Sequence, residues 1–474
     1  MRGGTDAPGP TAAAGPGPAA APDAPDGPAQ GAGGGLRRAF GGLTTRGRSF
    51  LAAGLAAGGC AYVLGQPELL RVGLLLTVLP VVCTVVLHRS RHRVAGSRRL
   101  VPPRVPAMSE ARVHLRVDNV SRLPTGMLML QDRVPYVLGP RPRFVLDRVE
   151  PGGYREVSYR VRSDLRGRYP LGPLQLRLSD PFGMCELTRS FSGQETLTVV
   201  PRVQPLAPVR LSGEAAGHGD SRTRALALAG EDDAIPRGYR HGDDLRRVHW
   251  RSTARYGELM VRREEQPQRS RCTVLLDTRA AAHRGAGPDS PFEWAVSGAA
   301  SVAVHMLRRG YGVRLLTDTG DTVPAPGGTG GFAGATGDGA GAGLAADLLL
   351  DALAVVDHSA GEGLVRAQDV LRSGNEGMVV AFLGALDEED ASVVARMRQR
   401  AGGAVAFLLD EPAWAARGGW AGEEDRDGDA LDRQRRMLRD AGWTVLRVGP
   451  EDSLPGLWSG ADRFGARQDT EVAP

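Results

Sequence analysis

Two apolar runs, Ser49 to Gly65 and Leu69 to Leu87, stand side by side near the start of the 474-residue chain, separated only by Gln66-Pro67-Glu68. Each approaches the ~20 residues that cross a bilayer as a helix, the form that satisfies every backbone group internally where no water is at hand. The short polar break makes the pair a transmembrane helical hairpin. A cleavable signal peptide fits less well, because a second apolar run follows at once with no clear cleavage site between them. Arg37, Arg38, Arg46 and Arg48 precede the hairpin, and Arg89, Arg91, Arg93, Arg98 and Arg99 follow it. Arginine at both outer ends predicts, by the positive-inside rule, an inner or plasma membrane crossed twice with both termini cytoplasmic. The same flanks disfavour the alternative of two buried core helices. Gly54 and Gly58 have the GxxxG spacing that permits close helix contact, either within the hairpin or between protomers of a homo-oligomer. Pro80 is expected to kink the second helix, and Arg71 to carry its charge out to the interface.

Around the hairpin the composition changes in steps. Residues 1–35 are Gly, Pro and Ala with a few Asp, too little apolar surface to offset chain entropy, and read as a disordered tail. Residues 36–99 hold the hairpin and its basic flanks. In residues 100–204 apolar and polar positions alternate, as at Val113, Leu115 and Val117 and at Leu174, Leu176 and Leu178, with turns at Pro151-Gly-Gly153 and Gly172-Pro173. That period predicts half-buried antiparallel strands in a small β-sandwich or barrel. Residues 205–233 read as a Gly- and Ala-rich linker, 234–265 as a charged junction, and 451–474 as a C-terminal tail.

Residues 266–450 alternate between strand and helix. Strands are expected at Thr273–Asp277, Gly312–Leu316, Met378–Leu383, Ala404–Leu409 and Trp443–Val448, and helices at Phe292–Arg309, Leu344–Val356, Leu364–Leu371, Glu388–Arg400 and Leu431–Asp440. Such alternation implies an α/β domain with a parallel sheet covered on both faces, Rossmann-like in class. The Gly-rich stretch 326–343 lacks a GxxxxGK[ST] pattern and reads as a loop rather than a phosphate cradle.

Charge excludes some functions. The pI is near 9.3, yet 59 basic groups face 54 acidic ones for a net charge of +5, a mixed-sign surface that argues against a nucleic-acid footprint. Cys60, Cys83, Cys185 and Cys272 are scattered without a CxxC pair, which argues against a metal cluster or disulfide framework. Lysine is absent, so apart from histidine every side-chain cation is an arginine.

The densest charge lies in Arg237-Gly-Tyr-Arg-His-Gly-Asp-Asp-Leu-Arg-Arg-Val-His-Trp-Arg-Ser-Thr-Ala-Arg255, followed by Gly257-Glu-Leu-Met-Val261. Three readings stand. Asp243 and Asp244 beside Arg246, Arg247 and Arg251 form an ion network that fixes how two domains meet, with Trp250 anchored in the core. Alternatively the arginine forks of Arg237, Arg240, Arg246 and Arg255, with Tyr239 and Gly242, hold a phosphate, a lipid headgroup or a partner's carboxylate. A third reading gives His241 or His249 acid–base work with Asp243; no nucleophile with a placed base accompanies it. Farther on, Asp277 ends a strand where open α/β sheets bind ligands. With Thr278, and with Asp318 and Thr319 ending the next strand, it offers oxygen to a hard cation, or it simply caps its own loop.

The charged run resembles the hallmark motif of the DUF58 family, and so do Leu43-Thr-Thr-Arg-Gly47, Arg166-Gly-Arg-Tyr-Pro-Leu-Gly172 and Asp180-Pro-Phe-Gly183. The resemblance covers about residues 40 to 450. It implies a membrane hairpin, a β-rich region and a von Willebrand factor A-like domain, whose metal site begins Asp-x-Ser-x-Ser. Here the stretch is Asp277-Thr-Arg-Ala-Ala281, so Asp277 alone carries over as a metal (Mg²⁺) ligand. The family's frequent companions, MoxR-type AAA+ ATPases and transglutaminase-like membrane proteins, imply a non-enzymatic, membrane-anchored adaptor in complex assembly or cell-envelope processes, with no cofactor. A Mg²⁺-dependent protein-binding module through a degenerate site, and a hydrolase using the His/Asp/Arg run, are the alternatives.

Overall fold

A computed structural model describes residues 42–90, 94–122, 124–180, 182–209, 236–239, 248, 250–262, 271–323, 339–372, 376–419 and 428–461. The tail 1–35, the flanking Arg37, Arg38, Arg91 and Arg93, most of the linker, and the end of the C-terminal tail lie outside these residues. The chain divides into two units, residues 1–93 with 177–188, and residues 94–176 with 189–474.

In the first unit, α1 (Thr45–Leu64) and α2 (Pro67–Ser90) form the hairpin, and both are long and apolar enough to cross a membrane. Thr44 caps α1 by accepting the N–H of Gly47 at 3.2 Å. Gly65, at φ 60°, ends α1 in the left-handed conformation that glycine adopts without strain. The close-contact glycines act within the hairpin: a Cβ on Gly54 would lie 2.4 Å from Thr77 Oγ1, and one on Gly73 2.8 Å from the Gly58 nitrogen. α2 runs on through Pro80, where a kink was expected; Thr84 Oγ1 donates to the Pro80 carbonyl at 2.8 Å. Arg71 pairs with Glu68 one turn away, at 2.9 Å. Two of the sequence patterns meet in this unit. Leu43 bridges Cys185 antiparallel, Thr44 N–H donates to the Met184 carbonyl at 2.9 Å, and a Cβ on Gly47 would fall 2.2 Å from that same oxygen.

The second unit opens with strands β1 (Val94–Val101), β2 (Arg104–Pro106), β3 (Glu110–Asn119), β4 (Leu128–Asp132), β5 (Arg143–Leu146), β6 (Tyr154–Arg162) and β7 (Gly167–Leu171). β8 (Leu174–Ser179) and β9 (Glu186–Phe191) run across the division of the chain, and β10 (Glu195–Val200) follows. Antiparallel sheets dominate: β1-β3-β6, β4 with β5, and β7 with β10, whose other edge takes β2 in parallel. Val113, Leu115 and Val117 are fully buried on β3, as the alternation requires. Arg98, counted among the basic flanks, instead turns inward from β1 with a side chain 4% exposed. It donates from Nε to Asp132 Oδ2 at 3.0 Å and from Nη1 to the Leu171 carbonyl at 2.8 Å.

The charged run enters on β11 (Pro236–Gly238) and leaves through the short helix α3 (Trp250–Tyr256) and β12 (Met260–Arg262), which pairs antiparallel with β11. The α/β domain then builds β13 (Arg271–Leu276), α4 (Pro291–Arg308), β14 (Gly312–Thr317), β15 (Thr322–Val323), α5 (Gly339–Leu353), α6 (Val365–Arg372), β16 (Glu376–Leu383), α7 (Glu388–Met397), β17 (Ala401–Leu409), α8 (Glu411–Gly418), α9 (Gly428–Asp440) and β18 (Thr444–Val448). The sheet order is β15-β14-β13-β16-β17-β18, five parallel strands with β15 antiparallel at the edge. Alternate residues face opposite layers. Cys272, Val274 and Leu276 join the core under α4 and α5, and Leu275 joins the one under α6, α7 and α9.

Two details depart from the sequence reading. α5 reaches back to Gly339, into the stretch read as loop, because Ala345, Leu349 and Leu353 bury against the core and carry the glycines with them. The first residues of the expected linker pack on the domain: Val209 is buried in its core, and the Ala207 carbonyl accepts from Trp458 Nε1 at 2.9 Å.

Candidate functional site

Counted from β13, the strands lie in the order 3-2-1-4-5-6, so the winding reverses between β13 and β16. Open α/β sheets hold ligands at that switch point, outside the strand C-termini. Asp277 stands there with no exposed surface. A carboxylate has about four lone-pair sites, and protein donors reach both oxygens of this one twice. Oδ1 accepts the Arg279 backbone N–H at 3.2 Å and Arg279 Nε at 2.9 Å. Oδ2 accepts Arg279 Nη2 at 2.9 Å and the Gly384 N–H at 3.3 Å. Gly384 must be glycine: a Cβ there would sit 2.2 Å from the Ala282 carbonyl oxygen.

Arg279 also reaches Asp390 on α7 through Nη1 and the Ala385 carbonyl through Nη2 at 3.3 Å. Burial works against its charge, but the hydrogen bonds and charges of Asp277 and Asp390 outweigh that and hold the guanidinium above its ordinary pKa. Burial pushes Asp390 above the usual carboxylate range, against the pull of Arg279. Beside them, buried Asp318 accepts from the Thr278 N–H at 3.0 Å, from the Thr278 hydroxyl, and from Ser359 Oγ at 2.6 Å. Ser359 is tied back to the loop after β13, its N–H donating to the Thr278 carbonyl at 2.7 Å.

A divalent cation asks for several free oxygens at ~2.0–2.6 Å. Asp277 has none to spare, and Arg279 and Ala281 replace the serines of Asp-x-Ser-x-Ser. Among the described residues no group of three or more His, Cys, Asp or Glu is placed to hold a metal. The residues present do not fit the ion.

Behind Asp277 lies a second buried pair. His283 Nε2 meets the Asp277 carbonyl at 2.8 Å, and its Nδ1 meets Glu411 Oε1 at 3.1 Å. Glu411 also accepts the Arg284 N–H at 2.9 Å, at the start of a helix capped by Asp410. Sequence reading missed α8, His283 and Glu411; the one local signal was Asp410-Glu-Pro, a cap followed by proline in the first turn.

Of the residues singled out in the charged run, Arg237, Tyr239, Trp250, Arg251 and Arg255 are described. Arg240, His241, Gly242, Asp243, Asp244, Arg246, Arg247 and His249 lie outside the described residues, and so do the ion network and the acid–base pairing expected of them. The run closes as a ribbon: Tyr239 N–H donates to the Leu259 carbonyl at 2.7 Å, and Met260 N–H to Thr253 Oγ1 at 3.1 Å. Trp250, expected as a core anchor, is instead 72% exposed, with Tyr256 63% exposed and Arg255 at the surface.

The described contacts between the β-rich and α/β parts of the second unit include two other arginines. Arg166, ahead of β7, is 5% exposed and bonds Glu293, the Leu353 carbonyl at 2.9 Å and the Val356 carbonyl, with its guanidinium 5.0 Å from the Phe292 ring. Arg104 on β2 pairs with Asp347 at 2.5 Å and Asp351 at 3.0 Å. Arg166 opens one of the patterns noted in the sequence, though nothing local disclosed its partners.

Comparison with known proteins adds relatives without an assigned role. Solved structures give low overall scores. The CARDB domain of the PF1109 protein from Pyrococcus furiosus is 12% identical with TM-score 0.18, covering 23% of this chain and 87% of that one. Spo0M, a sporulation control protein from Bacillus subtilis, is 12% identical with TM-score 0.15, covering 23% and 49%. At these scores neither likeness carries a conclusion about fold or function. The uncharacterized protein YeaD from Bacillus subtilis (strain 168) is 27% identical over 169 residues, 34% of this chain and 38% of YeaD. The family model that matches, over residues 236–336 and so across the whole charged run and Asp277, is that of the protein of unknown function DUF58.

Proposed function

We propose that this protein is a membrane-anchored, non-enzymatic adaptor of DUF58 type, whose von Willebrand A-like domain and charged run dock a protein partner on the cytoplasmic side. The observation that carries the reading is the exposure of Trp250, at 72%, and Tyr256, at 63%, on the short helix that also carries Arg255, within the family-matching stretch. Tryptophan, tyrosine and arginine are the residue types that dominate binding energy at protein interfaces, and solvent exposure leaves these two rings free to be desolvated by a partner. An exposed arginine on the same helix favours a partner face rich in carboxylates. The family resemblance makes a MoxR-type AAA+ ATPase the expected occupant, with a transglutaminase-like membrane protein as a further member of the assembly. The sheet order 3-2-1-4-5-6, with an acidic residue ending the first strand, supports the von Willebrand A-like assignment. The paired strand sets of the β-rich region support a β-sandwich. Nothing at Asp277 favours a Mg²⁺-dependent mode.

Co-purification of the detergent-solubilised full-length protein with a MoxR-type ATPase from the same cells tests this directly. Retention by the unaltered protein is expected, with at least a ~10-fold loss of affinity in Trp250→Ala, on the scale of an interface hot spot. No retention, or retention unchanged by Trp250→Ala together with Tyr256→Ala, overturns the reading.

A further inference from the structure

We propose that the Arg279 guanidinium is the resident cation of the switch-point site, a covalently attached charge standing where this fold class otherwise seats a divalent ion. The proposal rests on the von Willebrand A-like reading of the domain and not on the adaptor role. Three buried carboxylates stand at this end of the sheet: Asp277 after β13 and Asp390 in the first turn of α7, both bonded to Arg279, and Asp318 after β14, held by Thr278 and Ser359. Such a constellation needs a positive charge, because buried carboxylates persist when paired or coordinated. Arg279 supplies it in place. Its side chain is 5% exposed, its fork takes both oxygens of Asp277, and its remaining donors reach Asp390 and the Ala385 carbonyl.

The arrangement has the features of a loaded site rather than of a salt bridge laid over an open one. The loop after β13, the loop after β16 and the start of α7 all bond to the same guanidinium, as they would to one metal ion. Packing around it is closed: a Cβ on Gly361 would lie 2.5 Å from Asp318 Oδ2, and one on Gly384 would lie 2.2 Å from the Ala282 carbonyl. Position 279 is the third residue of Asp277-Thr-Arg-Ala-Ala281, where a metal-binding version of the motif has its first serine. A change there thus exchanges a metal's ligand for the metal's own charge. The ligand face is held permanently in its cation-loaded form, independent of divalent ion concentration.

The test uses the full-length protein in detergent, followed by thermal unfolding and by Mn²⁺ calorimetry. The unaltered protein is expected to show no Mn²⁺ binding assignable to Asp277, and a Tm unmoved by millimolar Mn²⁺, Mg²⁺ or EDTA. Arg279→Ser, which removes the charge and restores a hydroxyl, is expected to lower Tm by ~10 °C, as loss of one partner of a buried pair does. Millimolar Mn²⁺ is expected to restore about half of that loss, and adding Asp277→Asn to abolish the restoration. Mn²⁺ binding by the unaltered protein that Asp277→Asn removes would overturn the proposal, and this arm holds even if Arg279→Ser fails to fold. An Arg279→Ser protein that folds but ignores Mn²⁺ would also overturn it, reducing Arg279 to an ordinary structural ion pair.

Discussion

Both ring nitrogens of His283 face acceptors, Nε2 the Asp277 carbonyl and Nδ1 the Glu411 carboxylate, so the geometry calls for the doubly protonated imidazolium. Burial opposes that charge, but the hydrogen bond to Glu411 and the charges of Asp277 and Glu411 prevail, raising the His283 pKa above its ordinary value. The folded state then binds a proton more tightly than the unfolded one. Its stabilising contribution is complete below the unfolded value of about 6.5 and fades as pH rises through the folded pKa. Thermal unfolding between pH 6 and 9 is expected to show stability falling with pH in the unaltered protein, more steeply than in His283→Gln; parallel curves would refute it. Arg166 makes a second case. Its loss leaves half-buried Glu293 without its cation and two carbonyls without their donor, and Arg166→Ala is expected to cost about 2–3 kcal/mol in denaturant unfolding. Arg166→Lys should rescue little, because a point charge cannot reproduce a fork that spans Glu293 and two carbonyls. Asp277 was legible as an acid ending a strand. The role of Arg279 was not, since its second partner, Asp390, is 111 residues away.

At the scale of elements, the hairpin turns on where small residues fall. A Cβ at Gly54 would meet the backbone nitrogen of Thr77 at 2.8 Å and the Gly73 carbonyl at 2.9 Å, and neither can swing aside as a flexible side chain would. On Gly59 of the same helix a Cβ meets nothing within 4 Å. Gly54→Ala is therefore expected to lower Tm in detergent by several degrees while Gly59→Ala leaves it unchanged; equal effects would show that the helices do not depend on this contact. The GxxxG spacing was visible in the sequence with either the adjacent helix or a second copy as its partner, and only the tertiary structure shows Gly54 packed on Gly73 and Thr77. Strands and helices of the α/β domain were legible for a related reason. Their apolar period reflects which side is buried, so β13, β14, β16, β17, β18, α4, α6, α7 and α9 fall close to the expected spans. Where burial overrides propensity, as at the glycines opening α5, composition misleads.

For the whole molecule, the expectation that remains to be measured is topology. A reporter fused after Pro474 should be active in its cytoplasmic form and silent in its periplasmic form, because arginine stands at both outer ends of two helices long enough to cross a membrane. The reverse pattern would overturn the orientation. Arg98 contributes nothing to that count, since it is spent on Asp132 inside the β-rich region. By itself the sequence determined the hairpin, the alternating strands, the α/β class and the family-like run, all of which rest on periodicity or on residues adjacent in the chain. Only the tertiary structure decided that Trp250 faces solvent, that Arg104 and Arg166 carry contacts between the β-rich and α/β parts, and that Arg279 fills the acidic site. The three arginines depend on partners brought together from distant strands and helices, and charge pairing at such range leaves no period in the sequence.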